Sequence, residues 1–389
     1  MAPDPDPVPS PRGPATRPAD PRVDRDAGEI ATPVALRWRR AEDEQDGALF
    51  PDERAMERHV GTGAYRGMEF LHVNARSVIN AVPAASSMPF RYTINAYRGC
   101  SHACVYCFAR PTHDYLGLGI GEDFETKIVV KVNAVERVRA ELRAPSWRGD
   151  PIAMGTNTDP YQRAEGKYHL TRGIIGELSA ARNPFSILTK STLVLRDLPQ
   201  LVAAAERTSV RLDLSIGTLD REVWRLTEPG TPPPDKRVEA VRRLNEGGIP
   251  CGVLIAPVLP GLSDGEAQLR QVVSACVDAG AVSITPIGLH LRPGVRDHVM
   301  GWLAEQRPDL VPLYQGRFRR GSYQAKDLGA RLAATVSSLV RQAGGEAAGG
   351  PRRLGAVDGP AGEPDDGLAA HVARHPSGRS AAAEQLRLL

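Results

Sequence analysis

Between residues 92 and 305, short apolar runs alternate with segments whose apolar positions recur at helical spacing. The runs at 92–96, 152–155, 185–189, 210–216, 252–258 and 282–287 are too short for ordinary helices and read as strands. Between them the spacing predicts helices over 132–143, 170–181, 198–206 and 236–246, then from 263 to 279 and from 297 to 305. Gly247 and Gly248 form a stop signal after 236–246. Ser263-Asp264-Gly265-Glu266 has the spacing of a capping box. Strands that are nearly continuous apolar runs are buried on both faces, so the repeat implies a parallel sheet covered by helices. Six such units predict an α/β fold, a partial (β/α)6 TIM-like barrel of parallel strands. A doubly wound sheet is the alternative that the pattern leaves open. In either, ligands bind at the C-terminal ends of the strands.

Composition sets the limits of that core. Nine prolines fall within the first 33 residues, mixed with Asp and Arg. Such a segment cannot bury enough apolar surface to offset its ordering entropy, so 1–34 is expected to be disordered. The Gly-, Ala- and Pro-rich end, 344–389, is expected to behave likewise. Residues 35–88 then form an N-terminal extension packing on the core, 89–311 the barrel, and 312–343 a basic and helical C-terminal extension. A net charge of +3 over 389 residues argues neither for nor against a polyanionic partner. No apolar run approaches the roughly 18 residues of a membrane span, and no apolar signal region opens the chain. A cytoplasmic protein with no membrane partner is expected. Five cysteines, three of them clustered, fit a reducing interior rather than a disulfide scaffold.

The cluster is Cys100, Cys104 and Cys107, in Arg-Gly-Cys-Ser-His-Ala-Cys-Val-Tyr-Cys just after the first strand. Three thiols this close on one loop converge on a single metal centre and cannot make sensible disulfides with one another. A cluster of four irons needs four ligands, and the loop offers three, which leaves one iron open to a small molecule. A zinc site would need a fourth ligand, for which His102 and His113 are nearest. Zinc motifs usually come as two C-x₂-C pairs, and no second pair exists here.

The C-x₃-C-x₂-C loop resembles that of the radical SAM enzymes, and the chain from Pro89 to about Arg331 resembles the branch that includes spore photoproduct lyase. Carrying that resemblance are Tyr97-Arg98-Gly99-Cys100, Thr156-Asn157-Thr158-Asp159-Pro160-Tyr161-Gln162, Thr189-Lys190-Ser191, Ser215-Ile216-Gly217-Thr218 and Ala256-Pro257-Val258-Leu259-Pro260-Gly261-Leu262. Each falls at a strand's C-terminal end. The resemblance implies a [4Fe-4S] cluster on Cys100, Cys104 and Cys107, with S-adenosyl-L-methionine (SAM) chelated to the open iron. It implies cleavage of SAM to methionine and a 5′-deoxyadenosyl radical, which abstracts hydrogen from substrate. An external electron donor of flavodoxin or ferredoxin type follows, and nucleic acid is raised as a candidate substrate.

Matched residue by residue, Tyr106 would pack near the SAM adenine, Lys190 would meet the SAM carboxylate, and Ser215 and Thr158 would contact SAM polar groups. Plainer readings are loop packing for Tyr106 and a solvated strand-end position for Lys190. Asp159 either accepts hydrogen bonds from a sugar or caps its own turn. Thr156 stands where spore photoproduct lyase has a hydrogen-donating cysteine, and an O–H bond is too strong to replace that thiol. Dimer repair by the lyase's route is therefore not expected. Cys276 falls on the face Leu269, Val272, Val273, Cys276, Val277 and reads as core. Cys251 begins the fifth strand, away from the expected site. The stretch 314–331 interleaves Arg317, Arg319, Arg320, Lys326 and Arg331 with Phe318 and Tyr323. That composition suits a phosphate backbone with stacked bases or, more plainly, a solvated face beside the barrel mouth. His290 and Arg292 are expected to line the same mouth.

Two functions are compatible with these features: a radical SAM enzyme of unidentified substrate, and a non-catalytic iron–sulfur or zinc sensor on the same scaffold. A sensor has no need of Tyr106, Lys190 and Ser215 together at successive strand ends, which favours the enzyme.

Overall fold

The computed structural model describes residues 56–345 apart from 84, 85, 87 and 89. The expected disordered segment 1–34 and nearly all of 344–389 lie outside the described residues. The strands are β1 (Glu57–Val60), β2 (Glu69–Val73), β3 (Ile79–Ala81), β4 (Tyr92–Ile94), β5 (Tyr97–Arg98), β6 (Lys127–Lys131), β7 (Ile152–Met154), β8 (Phe185–Thr189), β9 (Val210–Ser215), β10 (Cys251–Val258) and β11 (Ile284–Gly288). They form a seven-stranded sheet in the order β11-β10-β9-β8-β7-β4-β3 and a four-stranded sheet in the order β1-β2-β6-β5.

In the larger sheet, β4 and β7 to β11 are six successive parallel neighbours, and β3 closes one edge antiparallel to β4. The order never reverses along the chain. A doubly wound sheet must reverse, because its ligand crevice lies at the reversal, so the barrel-like alternative holds. Burial on both faces explains the apolar runs: Ile187, Leu212, Leu214, Val253 and Ile255 have no exposed surface. Helices Leu170–Ala180 and Pro234–Glu246 cover the sheet with Ile174, Ile175, Leu178, Ala240, Val241 and Leu244. Removing each of the Ile, Val and Leu side chains from water contributes about 1.5–3 kcal/mol. Cys251 and Cys276 are buried in this same core. After Glu246 the chain turns at Gly248, whose φ of +82° suits glycine, and Ile249 N–H bonds back to the Leu244 carbonyl at 2.9 Å.

Four local expectations are revised. The strand expected over 92–96 ends at Ile94, and the chain crosses to the smaller sheet, where Tyr97 and Arg98 pair with β6. Residues 127–131, not foreseen as a strand, form β6, and the following helix starts at Ala134. No capping box forms at Ser263: its Oγ accepts from Leu259 N, and helix Glu266–Asp278 starts after Gly265. Helix Val295–Gln306 does not cover the sheet after β11. It buries Val295, Val299 and Leu303 in a second apolar cluster with Cys104, Tyr106 and Leu291. Helix Lys326–Gln342 takes the covering place, packing Val336, Leu339 and Val340 into the main core. Among the described residues, no helix is long and apolar enough to cross a membrane.

Candidate active site

The cysteine loop leaves the small sheet at Arg98 and is fastened at nearly every peptide. Gly99 has φ +79°, and a Cβ there would lie 2.8 Å from the His113 ring, so only glycine fits. Its carbonyl accepts from Thr158 Oγ1 at 2.6 Å and Gln162 Nε2 at 2.9 Å, while Gln162 Oε1 accepts from Ser101 N at 3.1 Å. Cys100 N donates to the Phe124 carbonyl at 2.9 Å. Arg110, fully buried, places Nε and Nη2 on the Cys104 carbonyl at 3.0 and 2.9 Å and pairs with Glu125 at 2.5 Å. From the other side, Thr227 O accepts from Val105 N at 3.0 Å, and Gly230 N donates to His102 O at 3.1 Å. Gly230 lies so close that an added Cβ would stand 2.1 Å from the Ser101 carbonyl. Residues 227–230 thus buckle down the cysteine loop.

The three thiols are unpaired; Cys100 and Cys104 are buried and Cys107 is half-buried. Burial pushes all three pKa values up, and at Cys100 nearby Asp159 and the other two cysteines add to it. Thiols in this state ionise when a cation takes them as ligands. The donor spacing distinguishes one ion from a cluster. Among the described residues, only Glu57, His59 and His72 form a set of three ligand-type side chains whose donor atoms all lie within 4.8 Å. At least one pair of the cysteine sulfurs therefore stands wider apart than the roughly 3.8 Å that tetrahedral zinc–thiolate bonds impose. The pattern fits a multi-iron cluster. Each histidine considered for zinc has one ring nitrogen engaged: His102 Nδ1 lies 3.3 Å from Asp159, and His113 Nε2 lies 2.9 Å from the Lys127 carbonyl. Among the described residues, His113 Nδ1 is buried without a hydrogen-bond partner and stands in no three-ligand set with the cysteines. Burial lowers His113 to about 4 and keeps it neutral.

One cavity is lined by all three cysteines and by Tyr106, Thr158, Lys190 and Ser215, the residues singled out in the sequence. Lys190 Nζ, at the end of β8, reaches Ser215 Oγ at 2.6 Å, the Ala256 carbonyl at 3.1 Å and Glu228 at 3.0 Å, and lies 5.7 Å from the Tyr106 ring centre. The Tyr106 hydroxyl donates to Glu228, and Arg237 pairs with the same carboxylate at 2.5 Å. Burial alone would raise the Glu228 pKa; Arg237, Lys190 and the tyrosine hydroxyl overcome it and hold it at about 2. Asp159 caps its own turn at Tyr161 N, 2.8 Å away, and accepts from Thr189 Oγ1 and Lys190 N at 2.6 and 2.7 Å. Thr156 lines the cavity with its hydroxyl on Asn95 Nδ2 at 3.2 Å.

Glu228, Arg237, Arg110 and Gln162 were not singled out in the sequence. The signal available for Glu228 was weak: Thr-Glu-Pro-Gly-Thr reads as a turn, and its partner Tyr106 lies 122 residues away.

The Radical SAM superfamily model matches residues 94–272. An uncharacterized protein of Mycobacterium tuberculosis is 47% identical over 296 residues, spanning 76% of this chain and 87% of that protein. Another, of Methanocaldococcus jannaschii, is 32% identical over 201 residues, spanning 51% of this chain and 71% of that protein. Spore photoproduct lyase complexed with dinucleoside spore photoproduct superposes with a TM-score of 0.51 at 20% identity, covering 70% of this chain and 79% of that one, which shows a shared fold. By its matched domain, and by the cysteine loop at the strand ends that the fold builds, the chain belongs to the radical SAM superfamily.

Proposed function

We propose that Cys100, Cys104 and Cys107 hold a [4Fe-4S] cluster, and that SAM lies beside it in the cavity against Lys190, Ser215 and Tyr106. The observation that carries this reading is the convergence of three buried thiols and a buttressed lysine in one cavity at the strand ends. Bound there, the cluster and SAM supply a 5′-deoxyadenosyl radical that takes hydrogen from a substrate at the cavity mouth. Lys190, whose side chain lines the cavity, would meet the SAM carboxylate by exchanging one of its three present partners, Ser215, the Ala256 carbonyl and Glu228, for it. Tyr106, pinned through its hydroxyl, presents a fixed ring face. Thr158 acts on the loop, because its hydroxyl is committed to the Gly99 carbonyl.

The cysteines of the loop are the only thiols among the described residues lining the cavity, and Thr156 offers none. The chemistry on substrate therefore proceeds without a protein thiol as hydrogen donor, unlike the lyase. The electron that reduces the cluster comes from an external donor of flavodoxin or ferredoxin type. Nucleic acid is the substrate class favoured by the basic mouth. The reading is tested by anaerobic reconstitution: about four irons per chain should bind, and SAM should perturb the electron paramagnetic resonance spectrum of the reduced cluster. Lys190→Ala should retain the iron but need at least roughly tenfold more SAM for that perturbation, the loss expected of a charge-assisted contact. Tight zinc with no iron would sink the reading.

A further inference from the structure

The cavity mouth carries a ladder of rings beyond the residues assigned to SAM above. Arg292 Cζ lies 5.4 Å from the Phe108 ring centre, Phe108 lies 5.9 Å from His290, and His290 lies 5.5 Å from Tyr323 with ring planes 18° apart. Phe108 and His290 line the cavity, whereas Tyr323 is 69% exposed, so the ladder runs from the interior to solvent. The outermost ring is held in place. His290 and Tyr323 pair as a β-bridge, Leu291 N donates to the Ser322 carbonyl at 2.7 Å, and Gln324 Nε2 donates to the Leu289 carbonyl at 3.2 Å. Phe318 is buried and anchors the segment from below.

Charge accompanies the ring. Residues 312–331 hold five basic side chains and one acidic. Arg331 is paired with Asp327 at 2.9 Å and Arg317 approaches Asp264 at 3.9 Å. Arg319, Arg320 and Lys326 are exposed and make no ion pair among the described residues. An aromatic face fixed in solvent beside unpaired guanidinium groups matches a flat ring with anionic groups on either side. Inside a duplex both faces of a base are covered by its stacked neighbours, so away from duplex ends a lone platform can stack only a base freed from the stack.

We propose that this rim is a docking surface for single-stranded nucleic acid, with one base stacked on the outer face of Tyr323 and flanking phosphates on Arg319 and Arg320. Delivery of a neighbouring nucleotide into the cavity rests on the radical SAM reading above; the docking itself does not. The test is fluorescence anisotropy on the full, cluster-loaded chain without SAM, using labelled DNA and RNA strands of about twelve nucleotides, the corresponding duplexes, and a strand with abasic sites. Single strands should bind more tightly than duplex. Tyr323→Ala should weaken binding roughly tenfold, Tyr323→Phe should preserve it, and the abasic strand should show the same loss with wild type. Combined Arg319→Gln and Arg320→Gln should flatten the dependence of log affinity on log salt by about 1.4, the share of two phosphates on a single strand. Tighter duplex binding, no binding to any strand, or equal affinities for wild type and Tyr323→Ala would each overturn the docking surface. None of these outcomes bears on SAM cleavage, which is assayed separately and whose failure would overturn the radical reading alone.

Discussion

Behind Lys190 and Tyr106, which line the cavity, Glu228 and Arg237 form its buried floor: they are 3% and 1% exposed, and their charges are answered by each other, by Lys190 and by the Tyr106 hydroxyl. At the rim, Tyr323 and its neighbours Arg319 and Arg320 face solvent. The floor is a closed network in which removing one member leaves another buried and unanswered, which is costly. The rim is held by backbone pairing, and its side chains are free to change without penalty to the fold. The same division separates roles. Machinery that positions a reactive cofactor needs fixed geometry, whereas a surface that meets substrate needs reachable groups.

The sharpest way to break that contrast is at the thiols. Cys100→Ala, Cys104→Ala or Cys107→Ala should each abolish bound iron and the brown colour after reconstitution, measured by iron analysis and visible absorption. Next comes Glu228→Ala, which strands Arg237 and Lys190 beside no carboxylate and should cost about 3–5 kcal/mol in urea unfolding. Glu228→Gln tests the same carboxylate through pH. Because the folded pKa is depressed from 4.5 to about 2, the ionised group contributes stability above about pH 4.5, and this is lost as pH falls toward 2. The wild type should lose about 3 kcal/mol across that window through this group, and Glu228→Gln should lack that component of the acid limb. Thr158→Val removes one of two donors from the Gly99 carbonyl and should cost about 1 kcal/mol, read as a lowered Tm with iron still binding. Smallest of all, Tyr323→Ala should shift urea unfolding by less than about 0.5 kcal/mol. A larger shift there would erase the distinction between floor and rim.

Legibility in the sequence follows the same physics. The cysteine cluster stands out because a metal loop draws its ligands from adjacent positions, whereas Lys190 and Ser215 are implied by the family resemblance, the apolar runs marking only the strand ends that they follow. The six parallel strands followed from their buried-both-sides composition. Periodicity, however, reports that a helix has an apolar face and not what that face meets. For that reason the helix at Val295–Gln306 was assigned to the sheet, while Lys326–Gln342 in fact covers it. β6 was missed because its apolar run is only three residues, Ile128 to Val130 between two lysines, and carries no period of its own. Glu228 was invisible for a different reason: its partner Tyr106 lies far along the chain, no local spacing encodes that contact, and Arg237 acquires its role only through Glu228.

The most direct test of the central claim is production of 5′-deoxyadenosine by the reconstituted chain with dithionite and SAM under strict anaerobiosis. The account predicts nucleoside from the wild type and none from Cys100→Ala, Cys104→Ala or Cys107→Ala. Nucleoside that persists without those cysteines, or a fully loaded cluster that neither binds nor cleaves SAM, would contradict it.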